Sequence, residues 1–465
     1  MKKINFVTSL VIIILLASCQ KYLDVNNNPN QPTEPPINGL FGSVTYSTAF
    51  NYYRFGSLVS NYLQYTASPN ASSSSDVFEN VDASNSWTNI YDNMTDLVDL
   101  EKMAIDRGAT GYQGTAKIMM AMHLSLLHDI WGEVPYSKAF TLTDVTPEYD
   151  NAEAIFDAAL TLLDEGVALL QQGGTVPINA GLDFIHGGSA PAWIRTAYAI
   201  KARMLNQLSK TSRYNAAEVL AALGNSYTSN AQDAQVTIFS VRNPWAQVAV
   251  DNAGLLLGGW LSKNFVDAMN GTTFGVFDPR LPRITNLTKF GDYRGTRNGS
   301  GRVGNGTSNE ESVLTTTGWY SSTNSPLLIA TYSEMKFIEA EVKFSTNRAE
   351  SYSAYLEGIR ANMTKMAVAA DSINTYINDT RVSVGAANLT MKRIMDEKYK
   401  VMFLHPSSWT DARRFDYQYT GFEMPLNAVL STFIRRLDYP SVEISRNGAN
   451  VPEVGSLADK LWWDQ

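Results

Sequence analysis

The stretch WTNIYDNMTDLVDLEKMAIDRGATGYQGTAKIMMAMHLSLLHDIW, residues 87–131, shows the helical character of this 465-residue chain most clearly. Apolar residues recur every three or four positions on each side of the turn 107–111, which is the spacing of helices that bury one face. Because this turn is short and contains glycine, the two helices are expected to be antiparallel neighbours. The sequence therefore predicts a helix pair here.

Segments with the same periodicity lie on both sides of this pair. They begin at residue 39 and continue at 155–170, 193–208, 215–223, 332–344, 349–370 and 389–403. Repeated helix pairs are typical of a tetratricopeptide-like stack, although the strict ~34-residue signature is absent. The prediction is one mostly α domain over 39–465, with helical stacks at 39–236 and 332–404, a loop-rich segment at 237–331 and a C-terminal segment at 405–465.

The loop-rich segment has a composition unlike that of the rest. Its stretch DPRLPR, residues 278–283, contains too much proline for a helix interior, and 291–325 is mainly Gly, Asn, Ser, Thr and Arg. An irregular stretch this long inside a domain is usually disordered or functional. Trp319 and Tyr320 near its end favour function, because disordered tracts contain few such rings.

The candidate ligand-binding residues follow from the chemistry of sugars, which need a flat ring against the C–H face and polar groups around the hydroxyls. Aromatic side chains would equally serve a peptide. Loop packing and a partner interface are the alternative roles for the loop rings, and Trp87 fits a core stripe as well as a pocket. The candidates are Trp319, Tyr320, Tyr293, Arg294, Arg302 and Asn305 in the loop-rich segment, with Trp87 and Tyr52 in the helical part.

The N-terminus has the order of a secretory signal, with two lysines, an apolar run and small residues over 1–18. Leu16-Ala17-Ser18-Cys19 resembles a bacterial lipobox, in which the thiol of Cys19 receives a lipid. The alternative is an ordinary secretory signal. Residues 19–38 contain four prolines and several asparagines, which predicts an extended, flexible tether.

Charge and motifs argue against several function classes. The formal charge of −8 falls to −10 once residues 1–18 are removed, which is a poor match for nucleic acid. His123 and His128 are five positions apart, about 140° around a helix, so they do not form an i, i+4 metal pair. The stretch GSGRVG, residues 299–304, lacks the βαβ context of a dinucleotide site. We therefore expect no catalytic residue, metal site or cofactor. No EF-hand loop is present, and the sequence leaves a structural calcium ion open.

Stretches distributed over the whole mature chain resemble, in order, the SusD/RagB family of outer-membrane nutrient-binding lipoproteins. They are 19–30 (CQKYLDVNNNPN), Trp87 with Tyr91, 127–136 (LHDIWGEVPY) with Ala139, 193–203, 278–280 (DPR), 332–342, 397–399 (EKY), 409–414 (WTDARR), and Tyr439-Pro440 with Glu443 and Asn447. Members of this family often have a glutamate two residues before the position of Trp409, where this chain has Ser407. This difference is expected to change the ion-pair partner of Arg413 or Arg414. The charges between Asp411 and Asp416 predict an ion-pair network that ties the C-terminal segment to the helices.

The resemblance implies a SusD-like helical superhelix beneath a ligand face built from long loops. It also implies a lipid-anchored protein on the outer face of the outer membrane, which covers a SusC-like TonB-dependent transporter and passes it glycan or peptide without catalysis. Two alternatives stay open. One is a surface-anchored glycoside hydrolase that uses two carboxylates, and the other is an adhesive lipoprotein without a pocket.

Overall fold

A computed structural model of the protein describes residues 36–465, apart from 142, 254–257 and 304–308. The predicted signal peptide, Cys19, Asn305 and the predicted tether up to residue 35 lie outside the described residues. The helices are α1 Ile37–Val59, α2 Ser84–Asp106, α3 Thr110–Trp131, α4 Ala152–Gln172, α5 Ala190–Gln207, α6 Ala216–Gly224, α7 Pro244–Ala253, α8 Lys263–Met269, α9 Leu281–Ile284, α10 Tyr332–Lys343, α11 Arg348–Lys365, α12 Ala370–Asn378, α13 Met391–Val401, α14 Ser407–Arg414 and α15 Ser441–Asn447. The strands are β1 Thr66–Ala67, β2 Ala234–Val236, β3 Trp260–Leu261 and β4 Leu327–Ala330. The mostly α prediction is confirmed, and α1 begins two residues before the predicted start.

Helix α3 is the central helix of the N-terminal half. Every residue from Ile118 to Trp131 is buried, because α3 packs against α2 on one side and α4 on the other. Glycines allow α3 and α4 to approach closely. A Cβ on Gly114 would lie 2.9 Å from the carbonyl oxygen of Gly166, and a Cβ on Gly166 would lie 2.8 Å from that of Gly114. Any side chain at either position would therefore push the two helices apart.

Short polar side chains specify the starts of several helices. Asn151, Ser189, Thr331, Asn347 and Thr390 each accept a hydrogen bond from a backbone N–H in the first turn of the helix that follows. These bonds satisfy donors that have no partner inside the helix. The helical segments predicted near these positions therefore begin where local sequence chemistry favours a start.

The predicted helix at 349–370 is wrong in its extent. Helix α11 ends at Lys365, and Ala367 has φ +54°, a left-handed conformation that interrupts the helix. A separate helix, α12, begins at Ala370. The apolar periodicity continues across the break, and this is why the sequence did not indicate it.

Two small antiparallel ribbons hold the loop-rich segment against the helices. Strand β1 pairs with β3, with Thr66 opposite Leu261, and β2 pairs with β4, with Val236 opposite Leu327. Within the described part of 291–325 there is no helix or strand, whereas the rest of the predicted loop-rich segment 237–331 contains α7, α8 and α9. The two ribbons therefore connect this irregular segment to residues that follow α1 and α6.

The predicted C-terminal ion-pair network is present. Arg414 binds Asp411 at 2.7 Å and also Glu341, while Lys398 binds Glu341 at 2.7 Å and Asp411 at 2.8 Å. All four side chains are almost fully buried. Because they come from α10, α13 and α14, the network joins the C-terminal segment to the helical stack.

Arg413 has a different environment. Its guanidinium lies between the rings of Trp409 and Trp463, at 4.0 and 4.6 Å from their centroids, and donates to the carbonyl oxygen of Asp129 at 2.5 Å. Burial lowers the pKa of this guanidinium. Of the two arginines that the Ser407 departure concerned, only Arg414 has an ion pair among the described residues.

Candidate ligand-binding site

A buried carboxylate joins two irregular segments at one end of the molecule. Asp76 accepts hydrogen bonds from the backbone N–H groups of Ser68 at 2.9 Å and Gly299 at 3.1 Å. The side-chain amides of Asn61 and Asn298 also donate to it, each at 2.9 Å. Burial raises the pKa of Asp76 to about 6, although the four hydrogen bonds favour its ionised form.

Asn298 extends this junction to a third segment. Its amide donates to the carbonyl oxygen of Thr66 at 2.9 Å, and its own side-chain oxygen accepts from Ser262 at 2.7 Å. Its backbone carbonyl accepts from the N–H of Leu426 at 3.0 Å. Segments near residues 66, 298 and 426 are therefore fastened together by polar contacts.

An open cavity of about 150 Å³ lies at this junction. Most of its wall is polar. Gln64, Lys263, Asn264, Arg297, Asn298 and Glu423 supply amide, ammonium, guanidinium and carboxylate groups. These groups can donate to and accept from the hydroxyls of a sugar.

The backbone conformation of Gln64 positions its side chain at this cavity. Gln64 has φ +51°, which is uncommon for a residue with a Cβ and costs about 1 kcal/mol. The turn after α1 holds it there, since the N–H of Gln64 donates to Asn61 and that of Tyr65 donates to Ser60. The amide of Gln64 then donates to the carbonyl oxygen of Glu423 at 2.5 Å.

Three half-buried or exposed rings come from the neighbouring stretch 277–293, and we name Phe277, Phe290 and Tyr293 the ring strip. Phe277 and Phe290 are 45% and 56% exposed, which is unusual for phenylalanine. Phe277 and Tyr293 lie 5.9 Å apart between ring centroids. The guanidinium of Arg294 lies 4.3 Å above the ring of Phe290.

The ring strip adjoins the cavity through α8. The side chain of Asn270, just after this helix, donates to the carbonyl oxygen of Tyr293 at 3.1 Å. Lys263, at the start of the helix, donates its N–H to Thr296 at 2.8 Å. Tyr293 and Arg297 are four positions apart in the chain, so their Cα atoms are at most ~14 Å apart. We name the cavity and the ring strip together the loop face.

The arrangement of the loop face suits a carbohydrate chemically. Exposed rings offer flat apolar surfaces to the C–H face of a sugar, and the adjoining cavity offers hydrogen-bonding groups to its hydroxyls. Asp76 and Asn298 connect the segments that carry these groups, so the polar wall is held by the fold itself. The loop face therefore combines the two kinds of contact that a sugar uses, ring surfaces and hydrogen-bonding groups.

The predicted residues Tyr293 and Arg294 lie on the loop face. Arg302 is exposed nearby, and its backbone N–H donates to the carbonyl oxygen of Pro69 at 2.9 Å. Asn305 is among the residues that the structure leaves undescribed. Three of the predicted loop residues therefore lie on or near one surface.

Tyr52 and Tyr320 lie elsewhere, in the core. They are 2% and 4% exposed and line a narrow cavity of about 20 Å³ beside Trp245, large enough for about one water molecule. Burial raises the pKa of each to about 12. Trp319 is half-buried, and its ring centroid lies 4.7 Å from that of Tyr320. The backbone N–H of Trp319 donates to the carbonyl oxygen of Arg283 at 2.6 Å. These rings pack against one another and against the helices.

Trp87 has both of the roles considered for it. It is only 4% exposed, and its ring meets that of Trp131 edge-on at 5.0 Å. Its remaining surface lines a separate cleft between α2 and α15. Trp87 therefore belongs to the core stripe and also to a pocket, but not to the loop face.

Sequence reasoning missed much of the loop face. Phe277 and Phe290 each follow or precede another ring by three positions, Phe274 and Tyr293, in a stretch rich in glycine and polar residues, and this was a usable signal. Gln64, Arg297 and Glu423 offered no such signal. They lie together only because the fold brings distant parts of the chain into contact. The hydrogen bond from Gln64 to Glu423, for example, joins residues that are 359 positions apart in the sequence.

Among the residues that the structure describes, no group of three or more His, Cys, Asp or Glu side chains is arranged to hold a metal ion. No helix in the same residues combines the length and apolar character that a membrane crossing requires.

Comparison with protein families gives a match over most of the chain. A SusD-like family model, described as starch-binding and associating with the outer membrane, matches residues 29–440. A search of curated proteins finds no match.

Solved structures with the same fold include members of this family. A SusD/RagB family protein from Bacteroides thetaiotaomicron is 20% identical with a TM-score of 0.73, and the match covers 93% of this chain and 99% of that one. A chitin-binding SusD homologue from Flavobacterium johnsoniae is 18% identical with a TM-score of 0.77, over 92% and 98% of the two chains. A structure described as a chitin-binding protein is 22% identical with a TM-score of 0.75, over 92% and 100%. These similarities establish the fold.

Proposed function

The chain belongs to the SusD-like family, and on this basis we propose that it captures an oligosaccharide at the loop face. The family description names starch, and two of the similar structures are described as chitin-binding, so a hexose-based glycan is the ligand class we favour. A peptide is the second ligand class, since exposed rings also serve peptide recognition.

One observation supports the loop face most strongly as the binding surface. A polar cavity, with side chains from distant parts of the chain, adjoins a strip of rings that includes two strongly exposed phenylalanines. The stability of the fold does not favour exposed phenylalanine rings, because their apolar area stays in contact with water. A ligand that covers these rings would remove this area from water.

The proposal also includes delivery and location. We propose that Cys19 carries a lipid in the outer membrane, that the tether holds the body outside the cell, and that a SusC-like TonB-dependent transporter receives the ligand. The lipobox-like LASC sequence and the family membership support this. Cys19→Ser is expected to release the protein from the membrane fraction without unfolding it, as fractionation and circular dichroism would show. Retention on the membrane would contradict the anchor.

Calorimetry on the full-length protein tests ligand binding. Chitohexaose, maltoheptaose and a set of hexapeptides would be titrated into the parent and into Arg297→Ala. Arg297 is exposed and lines the cavity, so its removal should weaken glycan binding ~10-fold without unfolding. Arg107→Ala, at an exposed arginine just after α2, is the matched control. Absence of binding to every probe, with no co-purifying transporter, would contradict the proposal.

The same glycans test whether the protein is an enzyme. We expect no release of reducing ends after prolonged incubation, since the proposed role needs binding alone. Turnover by the purified protein would favour the alternative of a surface-anchored glycoside hydrolase, in which two carboxylates would lie ~5–9 Å apart across the bound glycan.

A further inference from the structure

A second cleft lies away from the loop face. Its volume is about 260 Å³, larger than that of the loop-face cavity. It is bounded by the first half of α2, by the segment 135–147 that follows α3, and by α15. We name it the α2–α15 cleft.

One wall of this cleft is aromatic. It is formed by Trp87, Tyr91 and Phe140. Tyr91 and Phe140 are nearly parallel, with centroids 6.4 Å apart and planes at 28°, and the hydroxyl of Tyr91 donates to Pro135 at 2.8 Å. Trp87 is held edge-on by Trp131. The rings are therefore fixed before any ligand arrives.

The opposite wall is polar. One carboxylate oxygen of Glu443 accepts from the hydroxyl of Tyr149 at 3.0 Å and from the amide of Asn447 at 2.9 Å. Its other oxygen has no hydrogen bond within the described part of the chain. Arg446 lines this wall as well, and Asp92 lines the cleft from α2, beside Tyr91; both are exposed, and neither side chain makes an ion pair with any described residue. Donors and acceptors thus face the rings.

The frame of the cleft is stable. At the start of α15, the backbone N–H of Ser441 donates to the carboxylate of Asp82 at 3.0 Å. The backbone N–H of Val442 donates to the hydroxyl of Ser84 at 3.1 Å. On the other side, Asp150 accepts from the N–H groups of Tyr136 and Ser137, both at 2.8 Å. Each wall is therefore fastened by charged or polar contacts, and the cleft is preformed.

We propose that the α2–α15 cleft is a second glycan-binding site, in which a sugar stacks on Phe140 and Tyr91 while Arg446, Glu443 and Asp92 bind its hydroxyls. Rings on one wall and unpaired polar groups on the other match the two kinds of surface on a sugar. A membrane or protein contact would instead favour a continuous apolar patch. This proposal takes its ligand class from the proposed function but uses none of its residues.

Calorimetry with separate variants tests the second site. Full-length parent, Phe140→Ala, Arg446→Ala and Arg297→Ala would be titrated with chitohexaose and with maltoheptaose, with Arg107→Ala as the control. The parent should bind two molecules of one of these glycans. Phe140→Ala and Arg446→Ala should each weaken one of the two events roughly 10-fold or more and leave the other unchanged. Arg446 is exposed, so this variant keeps the test valid even if Phe140→Ala fails to fold.

The outcomes separate the two proposals. One binding event that only Arg297→Ala weakens would overturn the second site and leave the loop face standing. One event that only the cleft variants weaken would support the cleft and overturn the loop face. Binding that none of the variants changes would overturn both sites, and no binding of either glycan would overturn the ligand class on which both depend.

Discussion

The residues of the loop face come from irregular segments as far apart in the chain as Gln64 and Glu423. The rings of the α2–α15 cleft come instead from helix α2 and from the turn that follows helix α3. The loop face is held by hydrogen bonds to the buried side chains of Asp76 and Asn298. The cleft is held by the extensive apolar packing of α2 and α3 in addition to the polar contacts of Asp82, Ser84 and Asp150. The loop face should therefore be sensitive to the removal of a single buried polar side chain. The cleft should be less sensitive to such a change.

The largest expected difference comes from Asp76→Ala. This change leaves two buried and two half-buried donors without their acceptor, which should lower the free energy of unfolding by about 2–4 kcal/mol. It should also abolish glycan binding at the loop face, because the segments near Ser68 and Gly299 lose their connection. Urea denaturation and calorimetry would measure both effects.

Asp150→Ala is the matched variant for the cleft. Asp150 accepts from two backbone N–H groups beside the cleft, but it is only half-buried, so we expect a smaller loss of stability. Loop-face binding should be unchanged. Equal damage to the loop face from both variants would show that the two regions are not separate.

Acid should act on the helical stack and on the loop face in opposite directions. Burial lowers the pKa of His123, on α3 and hydrogen-bonded to Asn93 of α2, from 6.5 to about 4, so this side chain is neutral in the folded protein at pH 7. Because the unfolded chain binds this proton more tightly, stability is lost as pH falls from 6.5 to 4, by about 2 kcal/mol between pH 7 and 5. Asp76, with its pKa raised to about 6, should instead gain about 1 kcal/mol over the same range.

Urea denaturation at pH 7 and pH 5 measures these opposing contributions. His123→Gln should reduce the loss of stability between the two pH values relative to the parent. The loss should be larger in Asp76→Asn, which lacks the compensating carboxyl. An unchanged pH dependence in His123→Gln would mean that this histidine does not titrate as its burial indicates.

A pair of ring variants distinguishes ligand contact from packing. Phe290→Ala should weaken loop-face binding by about 1 kcal/mol with little change in stability, since Phe290 is 56% exposed. Trp319→Ala should mainly lower the free energy of unfolding, because its half-buried ring packs on Tyr320. A loss of affinity in Trp319→Ala with full stability would return this residue to the binding site, as its sequence context predicted.

The smallest expected effect is the coupling between the two surfaces. Arg297 and Arg446 lie in sites that share no lining residue. The changes in binding free energy caused by Arg297→Ala and Arg446→Ala should therefore add in the double variant to within about 0.5 kcal/mol. Titration of the double variant measures this. A larger coupling would indicate one extended site rather than two.

The helices were predictable because their information is local. Apolar spacing indicated α2 and α3 directly, and the segments for α4, α5 and α10 were found within a few residues of their bounds. The break after α11 was missed because Ala367 carries no composition signal for its left-handed conformation.

The candidate site was predictable only in part, because its information is not local. Tyr293 and Arg294 were identified from loop chemistry, and their roles as ligand contacts stay predictions, as do those of Arg302 and Asn305. Trp319 and Tyr320 were chosen because rings in a loop suggested a surface, whereas tertiary packing draws Tyr320 into the core. Convergence of segments from opposite ends of the chain could not be inferred from composition.

Hydrogen exchange of the full-length protein, with and without chitohexaose or maltoheptaose, tests the central claim most directly. The account predicts that the glycan which binds slows exchange at 262–270, 293–298 and 423–427, and that at the same glycan concentration this protection is reduced in Arg297→Ala but kept in Arg107→Ala. Glycan binding that leaves exchange in all three segments unchanged would contradict the loop face as the binding surface.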